Sequence, residues 1–306
     1  MTLNPIFESC ARRRMRLFRT PLIIGIYCAV LSVCALSLLT AFMGQGVTVG
    51  RMRDGVECYI WMTALQFFLI LLVAPALSAG SIAGERERRT FDLLVMTGVG
   101  ARRIIAGKLL ENFAFLVLLI LCGAPVMALA LLTGGVTPGQ IAVTLLYLMA
   151  IAFSALCVGM AATVIMRRSL SAVITAYLAV FAIGALSWGL SRHGPLAAAY
   201  TMQSLGALAQ KSTSEILMGM PVPIFFNPAV GLVMLLASQT GILHRTMETT
   251  MRLYHIYSAA KAAGFAAVSA ACLMAMLAFA AALLALATLL LRAQTDGFGR
   301  KRHEKR

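Results

Sequence analysis

The chain alternates between long apolar runs and short polar stretches, a pattern typical of membrane proteins. A helix rises about 1.5 Å per residue, so about 20 apolar residues cross the roughly 30 Å hydrocarbon core of a bilayer. The pattern predicts an all-α polytopic membrane protein with about six transmembrane helices in a single membrane domain, residues 1–306. The predicted spans are approximately residues 21–43, 59–78, 109–132, 141–166, 170–188 and 262–291.

A further apolar run, residues 223–243, is nearly long enough to cross the membrane as well. Asn227 and Pro228 interrupt it, and Pro lacks the N–H that a continuing helix needs. We therefore expect a half-spanning or outer-leaflet helix within an extracytoplasmic segment, residues 191–261. A full crossing would place the basic tail, residues 292–306, outside the cell.

The first 20 residues predict a helix that lies in the inner membrane interface. Asn4 is a suitable N-cap, and Pro5 and Glu8 suit the first helical turn. Most apolar residues fall on one half of the helical wheel and most arginines on the other, which is typical of interfacial helices. The apolar run that follows is too long for a cleavable signal peptide.

A polar island, residues 80–108, separates the second and third apolar runs. Its charged residues would be costly in lipid, so we expect it to leave the membrane and return. Thr90 can cap a short helix in which Phe91, Leu94 and Val95 share one face. A charged stem with a short apolar tip suits a groove on a soluble partner.

The composition is typical of a membrane protein, and the distribution of charge predicts its orientation in the membrane. Hydrophobic residues make up 60% of the chain and the mean hydropathy is +0.89, above the roughly 45–50% apolar content of soluble domains. The net charge of +15 comes from Lys and Arg at the edges of the apolar runs, so it requires no nucleic acid. Of the 26 Lys and Arg residues, 19 fall on one predicted side, which places the island and both termini in the cytoplasm.

The island carries a family resemblance. Residues 84–94 read GERERRTFDLL and residues 107–110 read GKLL. This arrangement, with Asn4-Pro5 and Asn227-Pro228, resembles the type 2 permease family of ATP-binding-cassette (ABC) transporters. Arg89 stands where that family commonly has Gly, and Val99-Gly100 stand where a Pro is common.

The resemblance implies the permease subunit of an ATP-driven transporter, commonly an exporter, in the plasma (inner) membrane of a prokaryote. The island would then be the coupling helix that docks on a separate ATPase subunit dimer, and a second permease chain would complete the complex. ATP and Mg²⁺ would be bound by the ATPase, so no cofactor is expected in this chain. The implied ATPase interface comprises Glu85, Arg86, Glu87, Arg88, Arg89, Thr90, Phe91, Asp92, Leu93, Leu94 and Val95.

The sequence itself predicts no enzyme activity. Gly107-Lys108 is the nearest approach to a phosphate loop, but Leu109 replaces the required Ser or Thr and Arg102 replaces the first Gly. The chain has no catalytic or metal-binding motif, so we assign no catalytic or metal site.

Three alternatives stay open at this point. The island can be a solvated loop that only anchors orientation. The chain can be an ion- or proton-coupled carrier, for which Glu111 is the one candidate relay, although a headgroup contact also explains it. An intramembrane enzyme is the third, and the cargo cannot be read from the sequence.

Overall fold

The computed structural model describes residues 19–43, 51–91, 96, 100–133, 135–166, 168–193, 222–240 and 263–303, and their regular structure is helical throughout. The helices are α1 (Arg19–Met43), α2 (Arg51–Glu87), α3 (Ala101–Thr133), α4 (Pro138–Ile165), α5 (Ser169–His193), α6 (Val222–Phe225), α7 (Pro228–Thr240) and α8 (Phe265–His303).

Six of these helices, α1 to α5 and α8, are long and apolar enough to cross a membrane. Each overlaps one of the six predicted spans, so the prediction of an all-α, multi-pass membrane protein is confirmed. The predicted interfacial helix at residues 1–20 and the tip residues 92–95 lie outside the described residues, apart from the start of α1 at Arg19.

α2 and α3 extend beyond their predicted spans into the polar island. α2 has 37 residues, a length of about 55 Å, which exceeds the roughly 30 Å hydrocarbon core. α3 begins at Ala101, eight residues before the predicted span. Helical extensions of α2 and α3 therefore form the two sides of the polar island.

The packing places α4 at the centre of the bundle. More than half of its residues are buried, whereas α1, α5 and α8 keep most of their surface on the outside of the bundle. α2 approaches α4 closely at Gly159, where a Cβ atom would lie 1.9 Å from the Ser78 Oγ and 3.0 Å from the Pro75 carbonyl. Only a residue without a side chain fits this crossing.

The apolar run at residues 223–243 is broken where Asn227 and Pro228 predict. The Asn227 Oδ1 accepts the Ala229 N–H at 3.0 Å and caps α7, with Pro228 at its first position. The Asn227 Nδ2 donates to the Ser187 Oγ at 2.8 Å, which fixes the break against α5. α7 has 13 residues, about 20 Å, and is too short to cross the hydrocarbon core.

The other end of α7 is fastened to the first turns of α4. The Tyr59 hydroxyl donates to the Gln239 Oε1 at 2.9 Å, and the Thr144 hydroxyl donates to the same oxygen at 3.2 Å. The Gln140 Nε2 donates to the Gln239 carbonyl at 2.9 Å. α7 therefore runs from the middle of the bundle to the end at which α4 begins.

Candidate functional site

The charged stem, residues 85–90, ends α2 in a left-handed turn. The Thr90 N–H donates to the Glu85 carbonyl at 3.0 Å and the Arg89 N–H to the Arg86 carbonyl at 3.0 Å. Arg89 has a φ of 57°, the left-handed conformation that follows many helices. These bonds form a Schellman motif, in which Gly is the usual residue at the left-handed position.

Glu85 connects α2 to α3. Its Oε1 lies 2.5 Å from the Lys108 Nζ, and the two side chains keep 26% and 12% of their surface exposed, respectively. Charges that are this shielded from water interact more strongly than surface pairs. The ion pair therefore holds the two sides of the polar island together.

Arg86 connects α2 to the last turn of α4. Its Nη1 donates to the Val164 carbonyl at 3.2 Å and to the Met166 carbonyl at 3.4 Å. These carbonyls belong to a helix end, where the macrodipole favours a cation. The guanidinium also lies over the Phe91 ring, 5.1 Å from its centroid, which is a cation–π contact.

Glu87 connects α2 to the first residue of α5. Its Oε1 accepts the Ser169 N–H at 2.9 Å and its Oε2 accepts the Ser169 hydroxyl at 2.5 Å. A carboxylate at the N-terminus of a helix satisfies a backbone donor and complements the positive end of the helix dipole. Three consecutive residues of the stem thus bind three different helices.

The implied interface residues do not all face the same way. Glu87, Arg88, Arg89 and Thr90 are exposed, whereas Glu85 and Arg86 are partly buried in contacts within this chain. Phe91 is only 5% exposed and belongs to the main hydrophobic core. The expectation that Phe91 presents an apolar face to a partner is therefore wrong, because Arg86 and the core cover it.

Thr90 lies directly before Phe91, which is in helical conformation, as the prediction of a new helix after Thr90 requires. The Thr90 hydroxyl donates to the Glu85 carbonyl at 3.2 Å and so also completes the end of α2. Asp92, Leu93, Leu94 and Val95 lie outside the described residues. Met96, the next described residue, has 61% of its surface exposed.

Sequence reasoning missed the residues that receive the stem. Ser169 and Thr163 are about 80 residues from the stem in sequence and belong to no motif. The Thr163 hydroxyl accepts the N–H of Ala83, two residues before the stem, at 2.8 Å. The sequence around Ser169 indicates only local structure. Ser169 follows a pair of arginines between two apolar runs, where a helix start was expected, but nothing in the sequence pairs it with Glu87.

The described residues contain no group of three or more His, Cys, Asp or Glu side chains that could hold a metal ion. Glu111, the candidate relay, is partly buried near the start of α3. The described stem residues form an ion pair and hydrogen bonds to three other helices.

No protein-family model and no curated protein sequence matches this chain.

Proposed function

We propose that this chain is the permease subunit of an ATP-driven ABC transporter, an exporter, and that residues 80–108 couple it to a separate ATPase subunit. The observation that carries this proposal is the attachment of Glu85, Arg86 and Glu87 to α3, α4 and α5. A loop that only anchors orientation has no need for such attachments.

The proposed mechanism is mechanical. ATP closes a pair of ATPase subunits, and their closure displaces the stem of each of two paired permease chains. Because the stem binds the ends of three helices, its displacement moves those helices together rather than bending one loop. Interfaces between packed helices shift between discrete arrangements, so such a push can switch the bundle between inward and outward access.

The surface offered to the ATPase is the exposed part of the stem. Arg88, Arg89 and Thr90 point away from the bundle, and Met96 adds an exposed apolar side chain beyond them. In this proposal ATP and Mg²⁺ bind to the partner alone. The stem and both chain termini face the cytoplasm of a prokaryotic cell, as the distribution of Lys and Arg favours.

The test is purification of the tagged chain from the membranes of its source organism in mild detergent. We expect a protein with a phosphate loop to copurify and the preparation to hydrolyse ATP. The variant Arg88→Glu/Arg89→Glu should lose both, because it reverses two exposed charges at the proposed contact.

The matched control is Gly139→Glu at the opposite end of α4, an exposed position where a new Cβ meets no atom within 4 Å. It should copurify with the ATPase at the level of the unmodified chain. An unmodified chain that brings no ATPase refutes the proposed function. A charge-reversed variant that retains the ATPase refutes the assignment of the contact.

A further inference from the structure

An apolar cavity of about 40 Å³ lies near the middle of the bundle, far from the charged stem. Its floor consists of Ala155 and Val158 on α4 and Met276 on α8, all buried. Leu71 on α2 and the aromatic residues Phe226 and Phe279 form part of its partly exposed rim. Leu71 lies halfway along α2, so the cavity is at the depth of the hydrocarbon core.

The chemistry of the lining excludes polar ligands. Among the described residues that line the cavity, Ser154 alone has a polar side chain, and its hydroxyl donates to the Ile151 carbonyl at 2.8 Å. Pro228, at the start of α7, has no N–H to offer. Apolar cavities of this kind stay free of water and accept apolar molecules.

The size of the cavity limits its occupant to a narrow apolar chain. A single water-sized sphere needs about 10–15 Å³ on this measure, so the cavity has room for about three such spheres. A helix, at about 10 Å in diameter, is far too wide. The medium around the rim is bilayer hydrocarbon, whose acyl chains are the narrow apolar molecules present.

The break between α6 and α7 shapes the rim. Phe226 lies in this break and packs edge to face with Phe279 on α8, with ring centroids 5.6 Å apart. Asn227 holds the break against Ser187 at 2.8 Å, so the aromatic pair has a fixed position beside the cavity. The half-crossing segment therefore forms a rigid side of the cavity.

We propose that this cavity binds one acyl chain of a membrane lipid. A bound acyl chain makes dispersion contacts with the lining residues that the empty cavity lacks. Lipid tails are as apolar as the lining, so no hydrophobic gain drives entry, and shape alone selects the occupant. Binding of the acyl chain is therefore saturable but weak. This inference holds whether or not the protein has an ATPase partner.

The experiment uses the full chain in phosphatidylcholine vesicles that contain phosphatidylcholine with a diazirine at mid-chain. After illumination, adducts are mapped to peptides by mass spectrometry. We expect the yield at Ala155 and Met276 to saturate as the labelled fraction rises, and to exceed the yield at Phe181, which is 75% exposed. A lipid with the diazirine in its headgroup should give no adducts at these two residues.

Two variants replace a valine of α4 by phenylalanine, one at the cavity and one on the exposed surface. Val158→Phe fills the cavity and should lower the yield at Met276 several-fold. Val143→Phe, at a position that is 47% exposed, should leave that yield unchanged.

A yield at Met276 that rises linearly with the labelled fraction, without saturation, overturns the proposal. Equal yields in the two variants overturn it as well. If Val158→Phe fails to fold, the saturation measurement on the unmodified chain decides the question alone.

Discussion

At Arg89 the backbone takes a left-handed conformation with a φ of 57°. This conformation costs a residue with a side chain about 1–2 kcal/mol and costs Gly almost nothing. We therefore expect Arg89→Gly to stabilise the chain by about 1 kcal/mol. Thermal unfolding of the detergent-solubilised protein should show a higher apparent Tm.

The neighbouring Arg88 supplies the control for this prediction, because it has no positive φ. Arg88→Gly adds backbone freedom without relieving strain, so it should lower the apparent Tm. If both glycine variants lower the Tm, the left-handed turn does not strain Arg89.

Gly159 makes the closest approach between α2 and α4. In Gly159→Ala the new Cβ would lie 1.9 Å from the Ser78 Oγ, and the Ser78 hydroxyl is bonded to the Ala74 carbonyl at 3.1 Å. Overpacking of this kind costs about 1–3 kcal/mol, so the apparent Tm should fall.

Gly25→Ala is the matched control for this crossing. A Cβ at Gly25 meets no atom within 4 Å, and Ala is the better helix former by about 1 kcal/mol. Gly25→Ala should leave the Tm unchanged or raise it. Equal Tm values for Gly159→Ala and the unmodified chain would contradict the close approach.

At the scale of elements, the ion pair between Glu85 and Lys108 ties α2 to α3. Glu85→Gln and Lys108→Gln each remove one member of this shielded ion pair. The side chains are neither fully buried nor fully exposed, so each variant should lose about 2 kcal/mol, between the values for surface and buried pairs.

A double-mutant cycle checks this prediction, with stability measured by thermal unfolding. The double variant removes both charges and leaves neither one unpaired, so its loss should be smaller than the sum of the single losses. Strictly additive losses would show that the pair contributes no interaction of its own. The unsubstituted chain and both single variants complete the cycle in the same detergent.

The elements differ in how far the sequence predicts them. The break at Asn227 and Pro228 follows from local chemistry, namely a missing N–H and a capping side chain. The bonds of Glu87 to Ser169 and of Arg86 to Val164 join residues about 80 positions apart, and no local pattern specifies them. For the same reason, the spacing of Phe91 predicted a helical face but not its burial.

For the whole molecule, hydropathy predicted the number of spans because each crossing needs its own apolar run. It did not predict their arrangement. Helices that face lipid and helices that face protein are equally apolar. The hydropathy pattern therefore does not show that α4 is central and α5 peripheral. The cavity beside α7 is hidden from the sequence for the same reason.

The arrangement also predicts which sites face opposite sides of the membrane. Arg86 contacts the last turn of α4, whereas Gly139 lies in its first turn, and the 28 residues of α4 span about 42 Å. We therefore predict that Arg88 and Gly139 lie on opposite sides of the bilayer and, from the excess of Lys and Arg, that Arg88 faces the cytoplasm.

Cysteine labelling tests this orientation, with the unsubstituted chain as the background for the native cysteines. A membrane-impermeant maleimide should label Arg88→Cys only in inside-out vesicles and Gly139→Cys only in intact cells, since both positions are exposed. Labelling of both from the same side would contradict α4 as a membrane-spanning helix. Labelling of Arg88→Cys in intact cells would place the stem outside, where no ATP-driven partner could reach it.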